Sequence, residues 1–222
     1  MKIQRQSASL RFQVQEALRE EIVSGRLKPG ERLVESQLCE EMDVSRTSLR
    51  ESLRGLEAEG LVSLVPHRGA VVASIEISDA KQIYQVRGVI EALAVRNFVD
   101  YASDTDFYQL EKAFKFIEAT VASSNNVSEL LKAKREFYDV LLCIDENSVV
   151  RGILDMLNNR ISLLRSLSLA QPSRLEKMIE EIDLMMKMIK RRDSEKAAEA
   201  TLLHIKNAAV NVVLMLEKNK DF

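Results

Sequence analysis

Three arginines, Arg46, Arg50 and Arg54, recur four residues apart in the segment VSRTSLRESLRGLEAEG. On a helical wheel they cover one arc of roughly 80°, next to an apolar stripe of Leu49, Leu53 and Leu56. One face of such a helix can dock into a core while its neighbour presents guanidinium groups. A guanidinium donates two parallel hydrogen bonds to guanine O6 and N7 in the major groove, and it also neutralises phosphates. Thr47 and Ser48 add short hydroxyl donors near the helix start. There, free N–H groups and the positive end of the helix dipole favour an approaching phosphate. Ser36, upstream, is counted with these DNA-facing residues. Taken alone, the stripe reads equally well as a solvated face with Glu51 and Glu57 beside it.

The neighbouring elements decide between the two readings. Ser45 is placed to cap the arginine helix, which runs to Gly60. Upstream, Phe12, Val14, Ala17, Leu18, Ile22 and Val23 recur at helical spacing over 10–23, and Gly25 offers a stop. Pro29 and Gly30 form a turn, after which Leu33, Leu38 and Met42 mark a short second helix that Asp43 and Val44 leave. Downstream, LVSLVPHRGAVVASI holds two β-branched runs separated at 66–69, the pattern of a small hairpin. Its tip carries His67, Arg68 and Gly69; Gly69 permits close backbone approach to a groove and Arg68 suits the minor groove. A tight helix pair, an arginine stripe opening on its second helix and a hairpin wing together predict a winged helix-turn-helix.

Charge gives no general support for nucleic-acid binding. The 222-residue chain has a net charge of −2 and a pI of about 5.9. Residues 1–78 hold 11 Lys and Arg against 12 Asp and Glu, a net of −1. The basic patch must therefore be concentrated, with the acids expected elsewhere. With 46% hydrophobic residues, Gly 7, Pro 3 and Trp 0, the chain has the profile of a mostly helical protein. Cys39 and Cys143 fall in amphipathic patterns and read as free thiols, in keeping with a reducing cytoplasm. No stretch approaches the roughly 18 apolar residues of a membrane span, so no membrane partner is expected.

Beyond Ser78 the pattern is helical over 79–101, 104–123, 128–143, 148–170, 173–192 and 194–218. Apolar stripes alternate with Lys and Glu faces, which predicts antiparallel packing as a bundle. The expected fold is mostly α: a winged helix-turn-helix of three helices plus a small hairpin at 1–74, a linker at 75–78, and an all-α antiparallel bundle at 79–222.

The segment ALREEIVSGRLKPGERLVESQLCEEMDVSRTSLRESLRGLEAEGLVSLVPHRGAVV resembles the amino-terminal domain of GntR-family bacterial regulators. Gly25, Pro29-Gly30, Glu35, Val44-Ser45-Arg46-Thr47, Leu49-Arg50-Glu51, Glu59-Gly60-Leu61-Val62 and Arg68-Gly69 carry the likeness. Many members have proline after the threonine of the recognition helix; here Ser48 stands in that position. The helical remainder is similar to the FadR subfamily's effector domain, through Arg87 with Glu91, Phe137, Asp145-Glu146-Asn147, Asp193 with Ala197, and His204. The resemblance implies a homodimeric, cytoplasmic transcriptional regulator, nucleoid-associated when bound to double-stranded operator DNA. It implies a palindromic operator touched by Arg46, Arg50 and the wing tip, with repression as the expected sign.

The same resemblance implies a metal site in many members, built from an Asp and a His one turn later plus two further His. Those positions fall at Lys134, Tyr138, about Ile182 and His204, so one imidazole remains and no metal or other cofactor is expected. A small-molecule effector, a carboxylate or other anion, is expected instead, with Arg87, Tyr138, Arg160 and His204 as candidate contacts. Arg87 reads equally as an ion pair with Glu91. Two alternatives stay open: a helical-bundle enzyme using His204, Tyr138 and Asp139, and an effector-free interaction protein. The enzyme lacks a convincing nucleophile with its base, a phosphate-cradling glycine loop or a metal cluster.

Overall fold

The computed structural model describes residues 5–123, 126–169 and 172–220. The chain divides into two compact units, Met1–Ile75 and Glu76–Phe222.

The first unit contains α1 (Arg5–Val23), α2 (Glu35–Glu41), α3 (Arg46–Ala58), β1 (Val62–Val65) and β2 (Gly69–Val72). Val14, Leu18 and Ile22 recur every fourth residue of α1 and are buried with Leu38 of α2 and Leu49, Leu53 and Leu56 of α3. Each such side chain contributes roughly 1.5–3 kcal/mol relative to exposure. Phe12, grouped with that stripe from spacing alone, is 61% exposed instead. It lies two residues from Val14, about 200° around the helix, and so faces away from the core.

The wing is antiparallel, with Val62 opposite Val72 and Val65 opposite Gly69. The segment before α2 adds a pairing that periodicity did not suggest. Gly30 N–H donates to Val72 O, Leu33 N–H to Ala70 O and Val72 N–H to Glu31 O, each at 2.9 Å. The residues around the Pro29-Gly30 turn thus satisfy the second edge of β2, whose backbone groups would otherwise lack protein partners. Leu33 is committed to this bridge, and α2 starts at Glu35.

The second unit contains α4 (Ile77–Tyr101), α5 (Asp104–Ser123), α6 (Val127–Leu141), a 3₁₀ turn (Asp145–Asn147), α7 (Ser148–Leu169), α8 (Pro172–Lys190) and α9 (Ser194–Lys220). Helix α9 packs on α4 and α8, and α5 packs on α6. Phe98, Leu110, Ile117, Phe137, Leu141, Met178 and Val212 are among its buried side chains. Asn147 explains part of the Asp145-Glu146-Asn147 signal. Fully buried, it donates to Ala94 O at 3.0 Å and Leu141 O at 3.1 Å, pinning α4 to the end of α6. Arg151 donates to Leu142 O at 3.1 Å and Asp139 O at 2.9 Å, satisfying carbonyls that the end of α6 leaves free.

Candidate nucleic-acid interface and buried polar cluster

Helix α3 starts where Ser45 Oγ accepts from Ser48 N–H at 3.2 Å, as a capping residue should. The Ser45 and Ser48 hydroxyls also lie 3.0 Å apart, so Ser48 takes part in the cap and its hydroxyl is not wholly available to phosphate. With the leucine stripe inward, Arg46, Thr47, Arg50 and Arg54 are exposed and Ser48 is half-buried; Ser36 is exposed on α2. The three arginines differ in their bonding. Arg46 makes no ion pair with any described residue. Arg50 Nε donates to Glu35 Oε2 at 2.9 Å and Oε1 at 3.2 Å, whereas Arg54 Nη1 donates to Glu51 Oε1 at 2.8 Å. Glu35 and Glu51 therefore stand within the arginine patch, contrary to the expectation that the acids lie elsewhere.

At the wing tip Arg68 N–H closes a turn on Val65 O at 3.1 Å, with His67 at φ 61° and Gly69 at φ 83°. Glycine adopts this left-handed conformation without strain, but a histidine does not. The turn holds His67, Arg68 and Gly69 exposed together.

Inside the second unit, Arg87 of α4 is 1% exposed and its Nε donates to Glu91 Oε1 at 2.8 Å, with Tyr84 beneath the guanidinium at 4.7 Å. Burial disfavours its charge. Attraction to Glu91 and to the phenols of Tyr84 and Tyr138 outweighs burial, so the guanidinium is held above its ordinary pKa. On α6, Tyr138 meets Phe137 edge-on at 5.7 Å and Lys134 is buried with Nζ 3.5 Å from Met178 Sδ. A cleft of about 220 Å³ opens beside Tyr138 and Glu91, walled also by Arg135, Asp139 and Asp155.

A second knot joins α8 to α9. Glu181 Oε2 accepts from Arg174 Nη2 and from His204 Nδ1, both at 2.7 Å, while its Oε1 accepts from Asn207 Nδ2 at 2.8 Å. Burial alone would raise the Glu181 pKa, but the bonds from His204, Arg174 and Asn207 bring it down to about 2. Burial pushes the pKa of His204 down to about 4; the bond to Glu181 resists this and the charge of Lys134 adds to it. At neutral pH His204 is a neutral donor through Nδ1 to Glu181.

Among the sequence candidates, Arg87, Tyr138 and His204 are buried in this unit, whereas Arg160 is exposed on α7 rather than pointing inward. Sequence reasoning missed Arg174, Glu181 and Asn207. Their signal was faint: Arg174 and Glu181 are two turns apart on α8, and His204 and Asn207 one turn apart on α9. The side chains at the family's metal positions do not fit a divalent ion. Lys134 brings an ammonium, Ile182 is a buried aliphatic, and the Nδ1 of His204 is occupied by Glu181. No group of three or more His, Cys, Asp or Glu able to hold a metal ion occurs among the described residues.

Residues 10–72 match the model of the bacterial regulatory proteins of the gntR family, and residues 82–207 match that of the FCD domain. The chain belongs to the GntR family of transcriptional regulators, in the FadR subfamily that carries an FCD domain. Its helix-turn-helix is of a DNA-binding class and its FCD domain of an effector-binding class; the domains and the relatives are those of regulators, not enzymes. It is 28% identical over 204 residues to an uncharacterised HTH-type transcriptional regulator, YdhC of Bacillus subtilis, covering 92% of this chain and 91% of that one. It is 21% identical over 210 residues to the HTH-type transcriptional repressor RspR of Escherichia coli, covering 95% and 92%. In fold it is similar to a GntR transcriptional regulator from Rhodococcus sp. RHA1, with a TM-score of 0.79 at 20% identity, over 92% of this chain and 97% of the other. No helix among the described residues is long and apolar enough to cross a membrane.

Proposed function

We propose that this regulator acts in the cytoplasm as a homodimeric repressor, nucleoid-associated when bound. It reads a palindromic operator with α3 and the wing, and an anionic effector bound inside the helical unit modulates it. The exposed arginine face of α3, beginning at the capped helix start, carries the DNA reading. Arg46, Thr47, Ser48, Arg50 and Arg54, with Ser36, Arg68 and Gly69, form its contact set. A gel shift against DNA flanking its own gene tests it. Arg46→Ala and Arg50→Ala should each lose roughly 1–3 kcal/mol of specific binding, and unchanged binding by both would overturn the assignment.

Dimerisation is supported by apolar surface on two helices that pack together. Val86, Val89 and Leu93 of α4 are exposed, as are Leu202, Leu203, Val210 and Leu214 of α9, and Leu202 lies against Gly88. Exposed apolar side chains on two packed helices favour a second copy of the chain. Sedimentation of the full chain, and of a Val89→Glu variant expected to be monomeric, tests it.

The effector reading is supported by two buried donors. Arg87 Nη1 and Arg174 Nη1 have no hydrogen-bond partner among the described residues, and a buried guanidinium N–H left unpaired is costly. An incoming carboxylate would satisfy either, with Tyr138 and His204 as further contacts; the exposed Arg160 has no part in this set. The nearby cleft wall, with Glu91, Asp139 and Asp155 against Arg135, favours a second reading, a ligand that also carries an ammonium group. A thermal-shift screen over organic acids, sugar acids, acyl thioesters and amino acids separates the two, because a ligand that binds only the folded state raises Tm. Control of DNA binding then requires that the ligand bind the two dimer states unequally.

A further inference from the structure

We propose that Glu35 is a positioning residue for sequence readout, holding Arg50 so that the far edge of its guanidinium faces the base pairs. The inference rests on the reading that α3 binds DNA. Glu35 is the first residue of α2 and Arg50 lies in the second turn of α3, fifteen positions later, so the packing of the two helices sets their approach. The carboxylate grips Nε alone, at 2.9 and 3.2 Å, and the two Nη groups make no other hydrogen bond with any described residue. A guanidinium is planar and rigid. Fixing Nε fixes the direction of the Nη1–Nη2 edge, the edge that spans two acceptors on a guanine.

The neighbouring arginines supply the contrast. Arg54 is held through Nη1, so its terminal edge is partly occupied, and Arg46 is not held by any described residue. Arg50 alone of the three combines a fixed guanidinium with a free terminal edge. Arginine is rich in rotamers, so a side chain ordered before docking loses less entropy on docking. The pair is half in solvent, at 62% and 32% side-chain exposure, and so contributes little to folding. The carboxylate also repels phosphates. Its charge therefore weakens binding to every duplex, while its hold on Arg50 offsets that loss only where the bases match, which is how negative charge raises discrimination.

The test starts from a duplex selected in vitro by the wild-type full chain, compared with a scrambled duplex of the same composition. Glu35→Ala should bind the scrambled duplex at least as tightly as wild type, while its preference for the selected duplex falls roughly tenfold, towards that of Arg50→Ala. Adding Arg50→Ala to Glu35→Ala should then cost little more, the non-additivity expected of residues that act through one another. Glu35→Gln keeps an oxygen that accepts from Nε, so it should retain the preference while tightening binding to both duplexes. A wild-type preference in Glu35→Ala, or loss of preference in Glu35→Gln, would overturn the positioning role without touching the DNA-binding assignment. Failure of the wild-type chain to select any sequence would overturn both.

Discussion

On α3, Arg50 and Arg54 meet carboxylates at 2.9 and 2.8 Å with 62% and 68% of their side chains in solvent. Inside the helical unit, Arg87 and Arg174 meet carboxylates at 2.8 and 2.7 Å with 2% exposed. The distances are nearly the same and the energetics are not. In water the exposed pairs can orient a side chain but add little to folding, because screening keeps their net worth near zero. In the core each charge has lost its hydration, so its carboxylate partner is obligatory and any N–H left unpaired is costly. The first arrangement leaves its arginines open to an incoming partner; the second commits them to the fold.

The largest test of this contrast removes one member of the buried pair. Glu91→Ala leaves Arg87 charged without its carboxylate and should lower the unfolding free energy by about 3–5 kcal/mol in urea titration. The double variant Arg87→Met, Glu91→Leu should regain most of that loss, since the desolvation cost disappears with the charges. A loss below about 1 kcal/mol for Glu91→Ala would place the buried pair in the same class as the exposed ones.

Acid should separate the units next. The folded pKa of His204 lies at about 4, below its ordinary value of 6.5, so the unfolded chain binds a proton first. The His204 contribution to stability should be full above pH 6.5 and be lost as pH drops from 6.5 to 4, by on the order of 3 kcal/mol. Glu181, at about 2 against an ordinary 4.5, extends the loss from pH 4.5 down to 2. His204→Gln should flatten the upper part of that profile; an unaltered slope between pH 6.5 and 4 would mean that another group carries it.

At the wing the expected effects are smaller and opposite in sign. His67 sits at φ 61°, so His67→Gly should stabilise the chain by about 1 kcal/mol in thermal unfolding. No gain would mean that the surrounding turn offsets the strain. Smallest of all, Glu51→Ala breaks the exposed pair with Arg54 and should change stability by less than about 1 kcal/mol.

What could be read in advance followed the range of the interaction. The capped start of α3 and its leucine stripe depend on residues three or four apart, so spacing revealed them. The arginine spacing was equally legible, but Glu35 reaches Arg50 across fifteen residues and two helices, and no periodicity encodes that. The bond from His204 to Glu181 spans twenty-three residues and depends on how α8 is rotated against α9. Two arginines of similar appearance also differ in placement: Arg174 is buried on α8, while Arg160 is exposed on α7. The family resemblance points to Ile182, whereas the acceptor is its neighbour Glu181, about 100° away around the helix.

The bridge between residues 30–33 and β2 also has a mechanical consequence. Gly30 N–H donates to Val72 O, Val72 N–H to Glu31 O and Leu33 N–H to Ala70 O, so the wing is tied to the chain that leads directly into α2, two residues before Glu35. A continuous set of bonds therefore runs from β2 to the base of α2 and, through the Glu35 carboxylate, to the Arg50 guanidinium. The wing tip and the arginine face of α3 are thus joined by a short run of backbone bonds and one ion pair, rather than by loop alone.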